Sequence, residues 1–342
     1  MKALTEADMT AYLAARFPDW RDVRIDGLHR LPLGASRETY RFDLSYSDGD
    51  GAHSDRLILR RDPPVSNVDS DRNHEYSAYR AIHGHGIPVP RMILLEEDPG
   101  PMGGAISIAE DLRGYHNSEY QLQQPAWRDK LPHIAAQMWG AMGRLAAVPV
   151  ENLDLEFMVP ATREGTAMQE LDFWEATLDK NDVGPEPITR AAIRWLRRNP
   201  PPPAQKLAMV HGDFRAGNFL YDDSGTLIAV LDWEMAHRGD PLEDLAWSLA
   251  RVFSFGKDDR RSGIAPREEA IRIWEAASGL TADPAALHWW ELLNCVKGQG
   301  IWNSCAQAWT TTSGEREVIH AYAAWWLRNA QDRAILELMG HL

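Results

Sequence analysis

The sequence predicts an α+β fold of two lobes: a small antiparallel-sheet lobe over residues 1–112 and a larger, mostly helical lobe over 113–342. Three observations lead there. A chain of 342 residues is long for one small core, which favours two. Alternating β-type runs crowd into its first third. After Gly114 the apolar residues recur at helical spacing instead.

Taken in order, the opening segment predicts a helix from Thr5, with Met9, Tyr12, Leu13 and Phe17 on one face. TYRFDLSY and RLILRR alternate as strands and are joined by the turn-rich SDGDGAHSD. HEYSAYRAIHGHG reads as a helix ending at Gly84 or Gly86. VPRMILLEE and AISIAED read as two more strands, flanking the turn DPGPMGG. In the second lobe, Leu131, Ile134, Met138, Met142 and Leu145 mark a long buried helix. ITRAAIRWLRRN marks another, stopped by the prolines at 200–203, which lack the N–H that a helix interior needs. KLAMVHGDFRAGNFLYDDSGTLIAVLDW reads as a strand, a polar loop and a hairpin turning at DDSG. Three helices over roughly 240–252, 284–311 and 315–340 complete the chain, and the last two carry six tryptophans.

Composition removes several function classes. Hydrophobic residues make up 44% and charged residues 25%, the balance of a soluble globular protein. A net charge of −14 opposes nucleic-acid binding, which needs clustered Lys and Arg. No apolar run approaches the roughly 18 residues of a membrane span, and MKALTEADMT has no signal-peptide core, so a cytoplasmic protein without a membrane partner is expected. Cys295 and Cys305 are too few for a disulfide framework or a structural zinc centre and read as free thiols. Neither a G-x-x-x-x-G-K-[ST] phosphate loop nor a G-x-S-x-G nucleophile elbow occurs.

Chemistry concentrates in HGDFRAGNFL, at 211–220. Asp213 precedes Asn218 by five residues, His211 precedes Asp213 by two, and a further acid, Asp232, ends the apolar run LIAVL. Phosphoryl transfer needs this inventory: one carboxylate to orient an attacking hydroxyl and take its proton, and an asparagine with a second carboxylate to hold Mg²⁺ against the phosphates. A hairpin between Asn218 and Asp232 would fold the two toward one metal.

The order H-x-D, four residues, N matches the protein-kinase catalytic loop, with Asp232 standing where the Asp of D-F-G would be. HGDFRAGN followed by VLDWEMAHRGDPLEDLAW resembles more closely the aminoglycoside phosphotransferase and choline kinase-like superfamily. LRRDPP, GIPVPR and DWEMAHRGDPLEDLAW look like the phosphotransferases related to the kinase-like domains fused to acyl-CoA dehydrogenases. The resemblance implies a protein kinase-like fold, with Asp213 as catalytic base, His211 as a support for the loop, and Asn218 and Asp232 as Mg²⁺ ligands. In the related proteins the Asp240 and Asp244 region also braces the catalytic loop. GDPLEDLAW reads first as a helix start, with Asp240 as N-cap, Pro241 at the first position and Glu243 three residues after the cap.

The same resemblance implies an ATP site. If RLILRR is the kinase strand that carries V-A-I-K, Arg60 replaces the phosphate-binding lysine and Glu75 is its candidate partner. LPLGASRET would cover the phosphates through Gly34 and the backbone amides of Ala35 and Ser36. ISIAEDLRG resembles the hinge, where backbone groups near Glu110, Asp111 and Leu112 would read the adenine. The acceptor is then a hydroxyl on a small molecule, and the family points to hydroxyacyl compounds or their CoA thioesters. An aminoglycoside, a choline-like amine held by an aromatic cage, and a nucleotide-binding module without catalysis stand as alternatives.

Overall fold

A computed structural model describes residues 3–31, 38–61, 72–100, 102–117, 119–254, 259–311 and 318–342. Gly34, Ala35 and Ser36 lie outside the described residues. The chain divides into two compact units, Met1–His83 with Pro88–Tyr115, and Gly84–Ile87 with His116–Leu342. Among the described residues no helix is long and apolar enough to cross a membrane.

The first unit is a five-stranded antiparallel sheet with two helices. Helix α1 (Glu6–Arg16) begins at Thr5, whose Oγ1 accepts from the Asp8 N–H at 3.1 Å while the Asp8 carboxylate accepts from the Thr5 N–H. The strands β1 (Arg21–Arg30), β2 (Glu38–Asp48), β3 (Gly51–Arg61), β4 (Met92–Glu96) and β5 (Ile106–Glu110) pair in the order β1-β2-β3-β5-β4, with α2 (Arg72–Ile82) between β3 and β4 in the chain. Strand β1 was not foreseen. Only Ile25 in it is buried, and register shifts flank its centre, so RDVRIDGLHR carries little of the alternation that marks a strand. In β3, Leu57 and Leu59 face the core while Arg60 points the other way.

The second unit holds the remaining helices. Helix α3 (Glu119–Leu122) leads to a 3₁₀ turn and then α4 (Leu131–Ala147), followed by α5 (Thr166–Lys180) and α6 (Pro187–Arg198). Four short strands come next: β6 (Ala208–Val210), β7 (Phe219–Tyr221), β8 (Leu227–Val230) and β9 (His237–Gly239). The hairpin β7-β8 turns at the expected DDSG, where the Asp222 carboxylate accepts the Ser224 and Thr226 N–H groups. Helix α7 (Leu242–Ser248) is shorter than the expected 240–252, because the chain turns extended at Ala250. Asp240 Oδ1 does accept the Leu242 N–H at 3.0 Å, but Glu243 does not close a capping box; its carboxylate turns to His237 and Lys297. The two-residue strands β10 (Arg260–Arg261) and β11 (Ala265–Pro266) precede α8 (Arg267–Ser278), then α9 (Pro284–Thr311), α10 (Val318–Tyr322), a π turn, and α11 (Arg328–Leu338).

Helix α8 was not anticipated, yet it seats against α4 closely enough that only glycine fits between them. A Cβ on Gly143 would lie 2.6 Å from the Ala277 Cβ and 2.7 Å from the Trp274 carbonyl oxygen. The tryptophans divide by depth. Trp289 and Trp290 are buried and donate to the Leu196 carbonyl and the Asp240 carboxylate, whereas Trp325 and Trp326 are exposed.

Four ionisable groups meet in this unit, three of them buried and His237 partly so. Lys297, 1% exposed, donates to Glu243 at 2.8 Å, and Glu243 also accepts from His237 Nε2 at 3.0 Å. Glu170 lies 3.4 Å from the same nitrogen, and His237 Nδ1 donates to the Met235 carbonyl. The Glu170, His237 and Glu243 ligand atoms lie within 4.8 Å of one another, a spacing that could suit a metal ion. Here two carboxylates face two cations, so the ammonium and the imidazolium already balance the charge. Burial alone would lower the His237 pKa; the Glu243 and Glu170 charges overcome it and raise the value to about 10.

Two expectations follow. Gly143→Val should destabilise the protein by about 1–3 kcal/mol in chemical denaturation, since neither backbone nor Ala277 can yield freely. The His237 pKa is higher folded than unfolded. Its stabilisation is therefore complete below its ordinary value of 6.5 and fades as pH rises toward about 10. The stability difference between wild type and His237→Gln should shrink over that interval; a difference independent of pH would mean the imidazole is neutral.

Candidate active site

The loop after β6 is shaped by what holds its backbone. The Asp244 carboxylate on α7 accepts the His211 N–H at 2.8 Å and the Gly212 N–H at 2.9 Å, and Lys297 Nζ donates to the Gly212 carbonyl oxygen. Gly212 has φ +83, and a Cβ there would sit 2.5 Å from the Met235 carbonyl oxygen, so a side chain is excluded on both grounds.

His211 is fully buried. Its Nδ1 accepts the Asp213 N–H at 3.1 Å, which leaves Nε2 as the donor to the Leu231 carbonyl at 2.8 Å. Burial pushes its pKa down to about 4, in keeping with the neutral tautomer this bonding requires. With both nitrogens engaged by backbone, His211 positions the loop.

Asp213 is set where three donors converge. Trp247 Nε1 donates to Oδ1 at 2.6 Å, Asn218 Nδ2 to Oδ2 at 2.8 Å, and Arg215 Nε lies 3.2 Å from both oxygens. Arg215 is held in turn by Glu119, whose Oε1 accepts from its Nη1 at 3.0 Å and from the Gly217 N–H at 2.9 Å, and it lies over the Phe253 ring.

The hairpin brings Asn218 and the segment carrying Asp232 together. The Leu231 N–H donates to the Asn218 carbonyl at 2.7 Å, so Asp232, the next residue, leaves the strand beside the asparagine. Asp232 has φ +68, a left-handed conformation uncommon for any residue but glycine and better tolerated by Asp than most. Asn218 donates through Nδ2 and keeps its side-chain Oδ1 for another partner. The donor set is oxygen throughout, which suits a hard cation such as Mg²⁺.

In the first unit, Arg60 Nη1 donates to Glu75 Oε1 at 2.8 Å, so the structure pairs these two side chains. Arg60 is 39% exposed, whereas the adjacent Arg61 is buried against Glu38, Tyr40 and the Met102 carbonyl. Glu110 and Asp111 commit their N–H groups to the Arg91 and Arg56 carbonyls, and the Asp111 side chain is clamped by Arg41 and Arg113. Of the three residues expected to read the adenine, Leu112 has no such backbone bond from its N–H among the described residues.

Sequence reasoning missed Trp247, Glu119, Arg215 and Lys297. Three had a signal: Trp247 lies three residues after Asp244, on the same helix face. Lys297 is a lone cation within the apolar run around WWELLNCVKGQGIW. Arg215 stands in HGDFRAGNFL itself, two residues after Asp213, without a role assigned to it; Glu119 had none.

Comparison with known proteins gives the family and the fold. A model of the phosphotransferase enzyme family matches residues 27–290. Acyl-CoA dehydrogenase family member 11 of Pongo abelii is 26% identical over 259 residues, which cover 71% of this chain and 32% of that protein. The chain thus spans about a third of the length of such relatives. Among solved structures, a Ralstonia eutropha protein assigned as an aminoglycoside phosphotransferase superposes with a TM-score of 0.76 at 17% identity, over 99% of each chain. Aminoglycoside phosphotransferase APH(4)-Ia, solved with ADP and hygromycin B, superposes with a TM-score of 0.58 at 17% identity, over 96% of this chain and 98% of its own. These likenesses establish the protein kinase-like α+β fold, and with more than half of its residues inside the family match, the chain belongs to the phosphotransferase enzyme family.

Proposed function

We propose that this protein transfers the γ-phosphoryl group of ATP, with Mg²⁺, to a hydroxyl of a small molecule. The observation that carries the reading is the Asp213 carboxylate, fixed by Trp247, Asn218 and Arg215 in a loop whose backbone is pinned from behind. Residues 1–112 would serve the nucleotide, with Arg60, held by Glu75, as the phosphate-binding cation. Residues 113–342 would carry the base, the metal ligands and the acceptor.

In this reading Asp213 orients the acceptor hydroxyl. Its oxygen bonds to the γ-phosphorus, the bond to the ADP oxygen breaks, and the proton passes to the Asp213 carboxylate. The transition state is loose, so positioning matters more than base strength, and a carboxylate fixed by three donors is sufficient. Asn218 Oδ1 and the Asp232 carboxylate would hold Mg²⁺, which when bound neutralises phosphate charge. His211 exchanges no proton, because its pKa lies well below neutrality.

For the acceptor, a hydroxyacyl compound or hydroxyacyl-CoA is favoured by the likeness to acyl-CoA dehydrogenase family member 11. An aminoglycoside is the second reading, since APH(4)-Ia was solved with hygromycin B. A non-catalytic module is disfavoured because base and metal ligands are all present.

Asp213→Asn should lower turnover by about 10²–10⁴-fold with ATP binding retained, measured as ADP release across hydroxyacyl, aminoglycoside, choline-like and sugar acceptors. Undiminished turnover would remove Asp213 as the base. Asp232→Ala should lose the Mg²⁺-dependent part of nucleotide binding in calorimetry. Arg60→Ala should raise KM for ATP about tenfold, a loss of about 1.4 kcal/mol, with a smaller change in kcat.

A further inference from the structure

Behind the loop that carries Asp213 stands a buried cation that takes no part in the transfer outlined above. Lys297 lies on α9, inside the helical unit. Enclosing an ammonium is costly, and an apolar pair in place of a buried ion pair is often as stable or more so. Stability alone therefore does not account for a lysine at this position. Its contacts give another reason.

The Lys297 Nζ donates to Glu243 at 2.8 Å and to the Gly212 carbonyl oxygen. That carbonyl belongs to the same peptide unit as the Asp213 N–H, which donates to His211 Nδ1 at 3.1 Å. A peptide unit is planar, so one bond at its oxygen and another at its nitrogen fix the plane from which the Asp213 Cα departs. Asp244 holds the two preceding peptide units, through the His211 and Gly212 N–H groups. Lys297 holds the next one, and the brace is continuous up to the acid.

The same ammonium bears on the Asp213 side chain. Its Nζ faces the Trp247 ring, 5.1 Å from the centroid, and the Trp174 ring at 5.4 Å. Trp247 Nε1 is the donor to Asp213 Oδ1 at 2.6 Å. Lys297 thus acts on Asp213 twice, through the backbone just before it and through the indole that bonds its carboxylate.

We infer that Lys297 is a positioning residue for the transfer: through the Gly212 carbonyl and the Trp247 indole it sets where the Asp213 carboxylate stands before the acceptor hydroxyl. The reaction named here rests on the phosphotransferase reading, whereas the bracing of Asp213 does not.

The test has to separate position from stability. Lys297→Met alone leaves Glu243 and Glu170 against one imidazolium, and a lowered Tm is expected. Lys297→Met combined with Glu243→Gln restores the balance, with His237 against Glu170, and is compared with Glu243→Gln, which keeps the ammonium. Hydrogen exchange at the Trp247 indole and the Gly212 amide is followed by NMR on the whole protein. Mg²⁺-dependent ADP release from ATP is measured with the acceptors named above, and ATP binding by calorimetry.

In the double variant the Trp247 indole and Gly212 amide should exchange at least about tenfold faster than in Glu243→Gln. The Trp139 indole, which donates to Ser248 Oγ on the same helix as Trp247, should stay within about twofold. Turnover should fall about tenfold or more while KM and Kd for ATP stay within about twofold, the split expected when only the base is displaced. Protection unchanged at Trp247 and Gly212, or lost equally at Trp139, would overturn the inference, since Lys297 would then serve stability alone. A raised KM for ATP with kcat retained would overturn it as well. Faster exchange at Trp247 and Gly212 in a protein whose wild type releases no ADP with any acceptor would uphold the brace on Asp213 and remove the phosphotransferase reading.

Discussion

The bond between the Asp244 carboxylate and two consecutive backbone N–H groups, those of His211 and Gly212, is what the rest of the site depends on. One buried side chain converts a polar loop into a rigid edge, because backbone donors so close to a buried acceptor cannot exchange for water without stranding a charge. Asp244 sits on α7, and three residues further along the same helix Trp247 reaches the Asp213 carboxylate. A single helical turn therefore fixes both the loop's backbone and its central acid. Burial raises the Asp244 pKa to about 7, opposed by the His211 and Gly212 N–H bonds, which is the signature of a group kept for structure in a dry place.

Around this bond the charges are sorted by depth. Directly behind the loop, Lys297 and His237 neutralise Glu243 and Glu170, so four ionisable groups meet without a net charge. The Lys297 ammonium also lies near the Trp174 and Trp247 rings, which face it with their electron-rich surfaces. At the front, the histidine is neutral and the acid is surrounded by donors. That contrast fixes the orientation of a part-buried carboxylate, since it is held by short directed bonds rather than by solvent.

In the first unit a similar division separates two neighbouring arginines. Arg61 is enclosed by Glu38, Tyr40 and a carbonyl oxygen, while Arg60 on the opposite face is held by Glu75 and stays partly exposed. Strand alternation alone produces this outcome, because consecutive side chains point to opposite faces of the sheet. The pairing of Arg60 with Glu75 was implied by the family resemblance, and most of the elements could be read from the strand and helix patterns. Strand β1 and helices α5 and α8 escaped because their apolar positions are sparse and interrupted by charge: in REEAIRIWEAAS only Ala270 and Trp274 are buried.

The sequence by itself determined the candidate-site inventory, the sheet-then-helix order and the family, since these reside in residue identity, local spacing and hydrophobic period. The tertiary structure alone decided which groups meet. Glu119 holds Arg215 across 96 positions, and Lys297 reaches Gly212 across 85. The tryptophans make the same point, because identical residues at similar helical spacing become core at 289 and 290 and surface at 325 and 326. Depth is a property of what packs against a residue, and that is set by contacts between distant segments, which no local pattern encodes.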